Sequence, residues 1–106
     1  MSNKLPCKPS MDLLSAIALR GLGNALGHGA CKHGSNDWRT SDRKWSEHIG
    51  AAYRHLTAFL AGEDIDNDSG LPNIDLLACR VHFLQELFVT RKNLDDRYKA
   101  KKGHKK

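Results

Sequence analysis

Four carboxylates, Glu63, Asp64, Asp66 and Asp68, fall within six residues, and Asp75 follows shortly after them. Carboxylates crowded this closely repel one another unless a cation sits among them, and hard oxygen donors suit Mg²⁺, Mn²⁺ or Ca²⁺. Glu63 and Asp66, separated by three, converge on one ion if a preceding helix continues as a turn, whereas Asp64 points elsewhere. Asp64, Asp66, Asp68 and Asp75 occupy positions 1, 3, 5 and 12 of an EF-hand pattern. That pattern fails at Ser69, where the loop requires glycine, and Pro72 suits its position poorly. Capping of the following helix by Asp68 or Ser69 is the competing reading of the same residues.

Upstream, His28, Cys31 and His33 have spacings that zinc could use, with Cys7 or His48 as a distant fourth ligand. No CxxC or paired HxxxH accompanies them, so imidazoles facing solvent or an anion are the preferred reading. Lys32, Trp38 and Arg39 supply the cationic and stacking groups that hold phosphates and a base. His48 and His55 stand at the edge of an apolar helical stripe, with Arg54 beside His55. That helix delivers its C-terminus straight into the acidic loop.

The elements that must position these groups read as helices, and no convincing period of two runs over five or more residues. Over 43–61, Trp45, Ile49, Ala52, Leu56, Phe59 and Leu60 form one apolar stripe, with Ser41 or Asp42 as cap and Gly62 as the stop. From Pro72 to Arg91, Ile74, Leu77, Ala78, Val81, Leu84, Leu87 and Phe88 form a second, with Pro72 in its first turn. A weaker helix over 10–26 carries Leu14, Ile17, Ala18, Leu22 and Ala25, and Gly21 and Gly23 each cost it about 1 kcal/mol against alanine. The predicted fold is all-α: a small bundle of three main helices, a long Gly/His/Trp loop over 27–42 and an acidic interhelical loop over 62–72. The two long helices, joined by a short loop, should lie antiparallel. A loop as long as 27–42 in a small protein tends to be functional, and it and the short acidic loop are where a site should lie.

Composition narrows the partners. The 106 residues, 40% apolar and 27% charged, have the balance of one globular domain and exclude fibrous or wholly disordered classes. Neither a signal-peptide core nor an apolar run of membrane-spanning length is present, so a cytoplasmic protein with no membrane partner is expected. Three cysteines without framework spacing agree with a reducing compartment. Of the net charge of +5, the segment 91–106 contributes eight Lys/Arg against two Asp, so the rest of the chain sums to −1. The expected division is therefore one domain over 1–90 and a basic tail over 91–106, a frayed helix end that attracts nucleic acid only weakly. Three helices give a thin core, which predicts a homo-oligomer.

With these residues in view, GACKHGSNDWR (29–39) is similar to a "GAKKYG…NWR" signature. The segment WSEHIGAAYRHLTAFLAGEDIDNDSGLP (45–72) is similar to "WS…A..RHL.A...GEDID.ESGL". Both belong to the phage dATP/dGTP diphosphohydrolase N-terminal-domain family, and the resemblance covers about residues 12–88. It implies a helical phage protein that uses Mg²⁺ or Mn²⁺ to split purine deoxynucleoside triphosphates into monophosphate and pyrophosphate. Carried over by position, it implies catalytic roles for His55, Glu63 and Asp66 and metal contacts from Glu63, Asp66 and Asp68. It places Lys32, Trp38, Arg39 and Arg54 at a bound nucleotide; His33, Asn73 and Arg80 are this chain's own further candidates for contact with the nucleotide.

Asp68 replaces the family's usual glutamate. Asn73, Leu76 and Arg80 replace a histidine, a second histidine and an asparagine on one helix face. Leucine can neither bind metal nor move a proton, whereas Arg80 adds a fork of donors suited to phosphate oxygens. Pairing of Arg80 with Asp75 or Glu86 on its own helix is its alternative. Two functions follow: a metal-dependent nucleotide pyrophosphohydrolase, or a non-catalytic binder that sequesters a nucleotide signal.

Overall fold

The computed structural model describes residues 7–99. A 3₁₀ turn at Met11–Leu13 leads to α1 (Ala16–His33), the four-residue α2 (Asp37–Thr40), α3 (Trp45–Leu60), α4 (Asn73–Thr90) and a 3₁₀ turn at Lys92–Leu94. The fold is all-α, with a single β-bridge between Ile65 and Pro72 and no strand among the described residues.

The helix predicted over 10–26 starts and ends later. Ser15 caps it by accepting a hydrogen bond from the Ala18 amide, and it continues through Gly27 and Gly29 to stop at Gly34, whose φ is 97°. Two further turns of backbone bonding outweigh the low propensity of the glycines. The predicted 27–42 loop therefore shrinks to short connections around α2, and Lys32 and His33 sit on the last turn of a helix.

α3 and α4 lie antiparallel: His55 meets Asn73, His48 meets Arg80, and Trp45 meets Phe88, in opposite chain order. The α3 face turned inward is Trp45, His48 and Ala51, with Ile49 packed beside it, so the predicted stripe holds at Trp45 and Ile49 and fails towards the C-terminus of the helix. Leu56 and Phe59 are exposed, and Leu60 is 83% exposed. The reason is placement, because α1 packs mainly on α4 and leaves that side of α3 uncovered. The core is small, with Trp45, Leu87 and Leu94 at its centre and Trp38, Ile49, Phe83 and Leu84 around it. α1 comes close to α4 at Gly21, where a Cβ would meet the Asp75 carboxylate and require that side chain to shift.

Leu94 also moves the domain boundary. Residues 91–99 do not fray from α4 as expected; they fold back over the start of α3. Neither Ser41 nor Asp42 caps α3. Instead Asp96 accepts from the Ser46 amide at 3.0 Å and the Ser46 hydroxyl at 2.6 Å, engaging donors that a helix start leaves open. Arg97 lies 5.0 Å from the Trp45 ring centroid and pairs with Asp95. The remainder of the predicted basic tail, 100–106, lies outside the described residues.

Candidate functional site

Both segments singled out from the sequence open onto one cleft of about 1120 Å³ between the end of α1, α2, α3, the acidic loop and α4. Its wall includes every predicted site residue: Lys32, His33, Trp38, Arg39, Arg54, His55, Glu63, Asp66, Asp68, Asn73 and Arg80. Asp64 is absent from it. Leu76, on the same α4 face as Asn73 and Arg80, also lines it.

The acidic loop is built as a helix stop followed by a closed turn. Gly62 at φ 90° lets its amide reach Phe59 O and the Glu63 amide reach Ala58 O, which is a Schellman ending. Beyond it, one Asp66 carboxylate oxygen accepts from the Ser69 amide at 2.9 Å and the Ser69 hydroxyl at 2.8 Å. Those two bonds hold the Asp66 pKa below the ordinary carboxylate range, helped by His55 and His28. Asp68 and Ser69 therefore do not cap α4, whose N-cap position is Pro72 rather than the predicted first turn.

Asn73 is the clamp between this loop and α3. It is 2% exposed, and its backbone amide donates to Asp64 O while its side-chain Nδ2 donates to Glu63 O at 2.9 Å. A carbonyl only accepts, so the Asn73 Oδ1 is the atom facing His55 Nδ1 at 3.0 Å. His55 must then donate from Nδ1, so Nε2 is the ring nitrogen left for another partner. Asn73 thus orients His55, and its own polar groups are engaged within the fold.

The α2 side of the cleft is similarly engaged. Trp38 stacks on Phe83 with ring centroids 4.6 Å apart, and the Arg39 guanidinium lies 4.5 Å from the Trp38 centroid. Arg39 grips Glu86 through two bonds of 2.7 and 3.0 Å and also donates to Asn36. Glu86 thus pairs with Arg39, not with Arg80. The third cation there, Arg43, which the sequence did not single out, bonds Asp37 at 2.8 Å and Ser41 at 3.3 Å. No short-range pattern marks it, because its partner lies six residues back across the α2 turn.

Arg80 is half-buried and donates from Nη1 to His48 Nδ1 at 3.0 Å. His48 was expected at a stripe edge, but it is 1% exposed. Burial first, then Arg80 and Arg43, push its pKa down to about 4, so the ring is neutral at physiological pH. Its Nε2 has no hydrogen-bond partner among the described residues. Arg54 and Lys32 make no ion pair there either.

The chemistry of the wall is now clear: cations on α1, α3 and α4, an oriented imidazole, and carboxylates on the opposing loop. The profile of the dATP/dGTP diphosphohydrolase N-terminal domain matches residues 4–97. The chain belongs to that family. Neither a curated protein nor a solved structure matches it. Among the described residues no three of His, Cys, Asp and Glu converge as metal ligands, which applies equally to Glu63, Asp66 and Asp68 and to His28, Cys31 and His33. Asp66 is engaged with Ser69, and Glu63 and Asp68 are exposed, so the side chains as placed do not form a divalent-metal site. No helix among the described residues is long and apolar enough to cross a membrane.

Proposed function

We propose that this domain takes a purine deoxynucleoside triphosphate in the 1120 Å³ cleft and hydrolyses it to monophosphate and pyrophosphate. The observation that carries the reading is that Lys32, Arg54, Arg80 and the oriented His55 line the same cleft of a diphosphohydrolase-family domain. Arg54 and Lys32 neutralise phosphate oxygens as negative charge develops in the transition state. His55 Nε2 takes the proton of a water attacking the α-phosphorus, and the bond to the bridging oxygen breaks to release pyrophosphate. Asn73 acts by holding the His55 ring in the required tautomer. Exposed Leu56, Phe59, Ile74, Val81 and Phe88 support a homo-oligomer as the working form.

One observation favours a second reading, nucleotide sequestration without turnover. Leu76 presents an aliphatic side chain to the cleft where the resemblance places a histidine. Incubation with dATP and dGTP, with Mg²⁺, with Mn²⁺ and with neither, followed by denaturation and chromatography, separates the readings. Appearance of monophosphate and pyrophosphate supports hydrolysis, recovery of bound, unchanged triphosphate supports sequestration, and a product yield independent of added ion removes the metal requirement.

A further inference from the structure

A second, smaller hollow of about 250 Å³ lies on the α3–α4 seam, lined by Arg43, Ser46, Glu47, Gly50, Ala51, Arg54 and Arg80. Arg43, Ala51, Arg54 and Arg80 also line the large cleft, so they form a neck between the two spaces. Three guanidinium groups therefore surround this hollow against one carboxylate, Glu47. Arg80 has no carboxylate partner among the described residues, only the imidazole of His48, which carries no charge to offset it. Arg54 has none either, and Arg43 uses a single Nη1 for both of its internal bonds. Like charges gathered in a partly enclosed space repel, and the arrangement becomes favourable when an anion sits among them.

We propose that this hollow receives the phosphoryl groups distal to the sugar, and equally free pyrophosphate, so that the cleft selects nucleoside triphosphates over monophosphates. This rests on the nucleotide reading of the large cleft and extends it to the part of the ligand that fixes specificity. A guanidinium presents its donors as a planar fork that matches two phosphate oxygens, and three such forks around one space suit a group bearing several negative charges. Burial above all, with Arg43 and Arg54, pulls the Arg80 pKa down although Cys79 and Glu47 oppose it, the direction expected where cations outnumber anions.

The test is calorimetric titration in metal-free buffer with pyrophosphate, dATP and dAMP. The proteins are wild type, Arg80→Gln, Arg54→Gln and, as a charge control outside both cavities, Arg20→Gln. Wild type should bind pyrophosphate in competition with dATP and bind dAMP about tenfold more weakly or worse. Arg80→Gln should lose about tenfold or more in pyrophosphate affinity, and Arg54→Gln should lose affinity in the same direction. Arg20→Gln should match wild type. Arg54 is exposed and its side chain makes no hydrogen bond or ion pair among the described residues, so its variant keeps the test independent of any unfolding in Arg80→Gln. Binding of dATP without pyrophosphate binding, or an equal loss in all three variants, overturns the pocket and leaves the nucleotide reading standing. Pyrophosphate binding that depends on Arg54 and Arg80, with no nucleotide bound, supports the pocket and removes the nucleotide reading.

Discussion

At the α2 end of the cleft, Trp38 lies against Phe83 and Arg39 grips Glu86. On the α3 wall, by contrast, Arg54 has no ion-pair partner among the described residues, and Arg80 meets a neutral imidazole and the Phe83 ring but no carboxylate. Residues of the same types thus do opposite things a short distance apart. Where an arginine closes on a carboxylate and an indole on a phenyl ring, the side chains hold the fold and have little left for a ligand. Where guanidinium groups face one another across a hollow, the fold gains little and an anion gains much. Substitutions on the α2 side should therefore show in stability and those on the α3–α4 wall in affinity.

The largest expected effect is at Trp38. Trp38→Ala removes the stack that ties α2 to α4 and should cost about 3 kcal/mol of unfolding free energy, read by urea denaturation. Nucleotide affinity of the remaining folded protein should hold. A large loss of affinity with stability intact would return Trp38 to the base-stacking role that its sequence context implies, and would erase the contrast.

Next comes the pH dependence set by His48. Its folded pKa, about 4, lies below the ordinary histidine value of 6.5, so the unfolded chain takes up the proton first as pH falls. Stability is full above the unfolded value, is lost as pH falls from there towards 4, and levels off below it. Between pH 7 and pH 5 the loss should be about 2 kcal/mol. The lowered carboxylates Asp66, Glu86, Asp95 and Asp96 contribute at lower pH, because their ordinary values are 3.8 and 4.5. Denaturation midpoints of wild type and His48→Gln across this range should converge towards acid, and parallel curves would show that His48 is not the group responsible.

Asn73→Ala is expected to be smaller, about 1–1.5 kcal/mol, because it removes the bonds to the Glu63 carbonyl and the His55 ring nitrogen. Its distinguishing effect is on turnover. With Asn73 gone, the His55 tautomer is no longer fixed, so kcat should fall while KM changes little. Unchanged kcat would separate His55 from the chemistry.

The sequence made the three long helices legible because apolar spacing and the stop at Gly62 are local signals, and it gathered the site onto one cleft because the motifs lie next to those helices. It placed Trp45 and Ile49 of α3 in the core correctly but misjudged the C-terminal half of that stripe. Leu56, Phe59 and Leu60 read as core, yet a helix stripe is buried only if another element covers it, and α1 sits against α4 instead. The roles of Trp38, Arg39 and Asn73 were hidden for a related reason. Their partners Phe83, Glu86 and His55 are distant in sequence, and nothing local distinguishes an arginine that will meet a carboxylate from one that will not. Asp96, predicted within a solvated tail, caps α3 across fifty residues of chain.

The smallest expected change in stability is at Arg54, and it sharpens the comparison most. Arg54→Gln removes an exposed guanidinium that bonds nothing in the described fold, so unfolding free energy should move by less than about 0.5 kcal/mol. Relief of repulsion from Arg43 and Arg80 makes the expected sign slightly stabilising, and the gain should shrink as salt screens those charges. Nucleotide affinity should fall in the same protein. Arg39→Gln should do the reverse, since it breaks the Glu86 pair and leaves the neck untouched. Melting temperatures and dATP titrations of the two variants, at low and high salt, form a crossed design in which each variant moves one readout. If both variants lower affinity equally, the α2 arginine reaches the ligand despite its carboxylate, and the division between the two sides of the cleft does not hold.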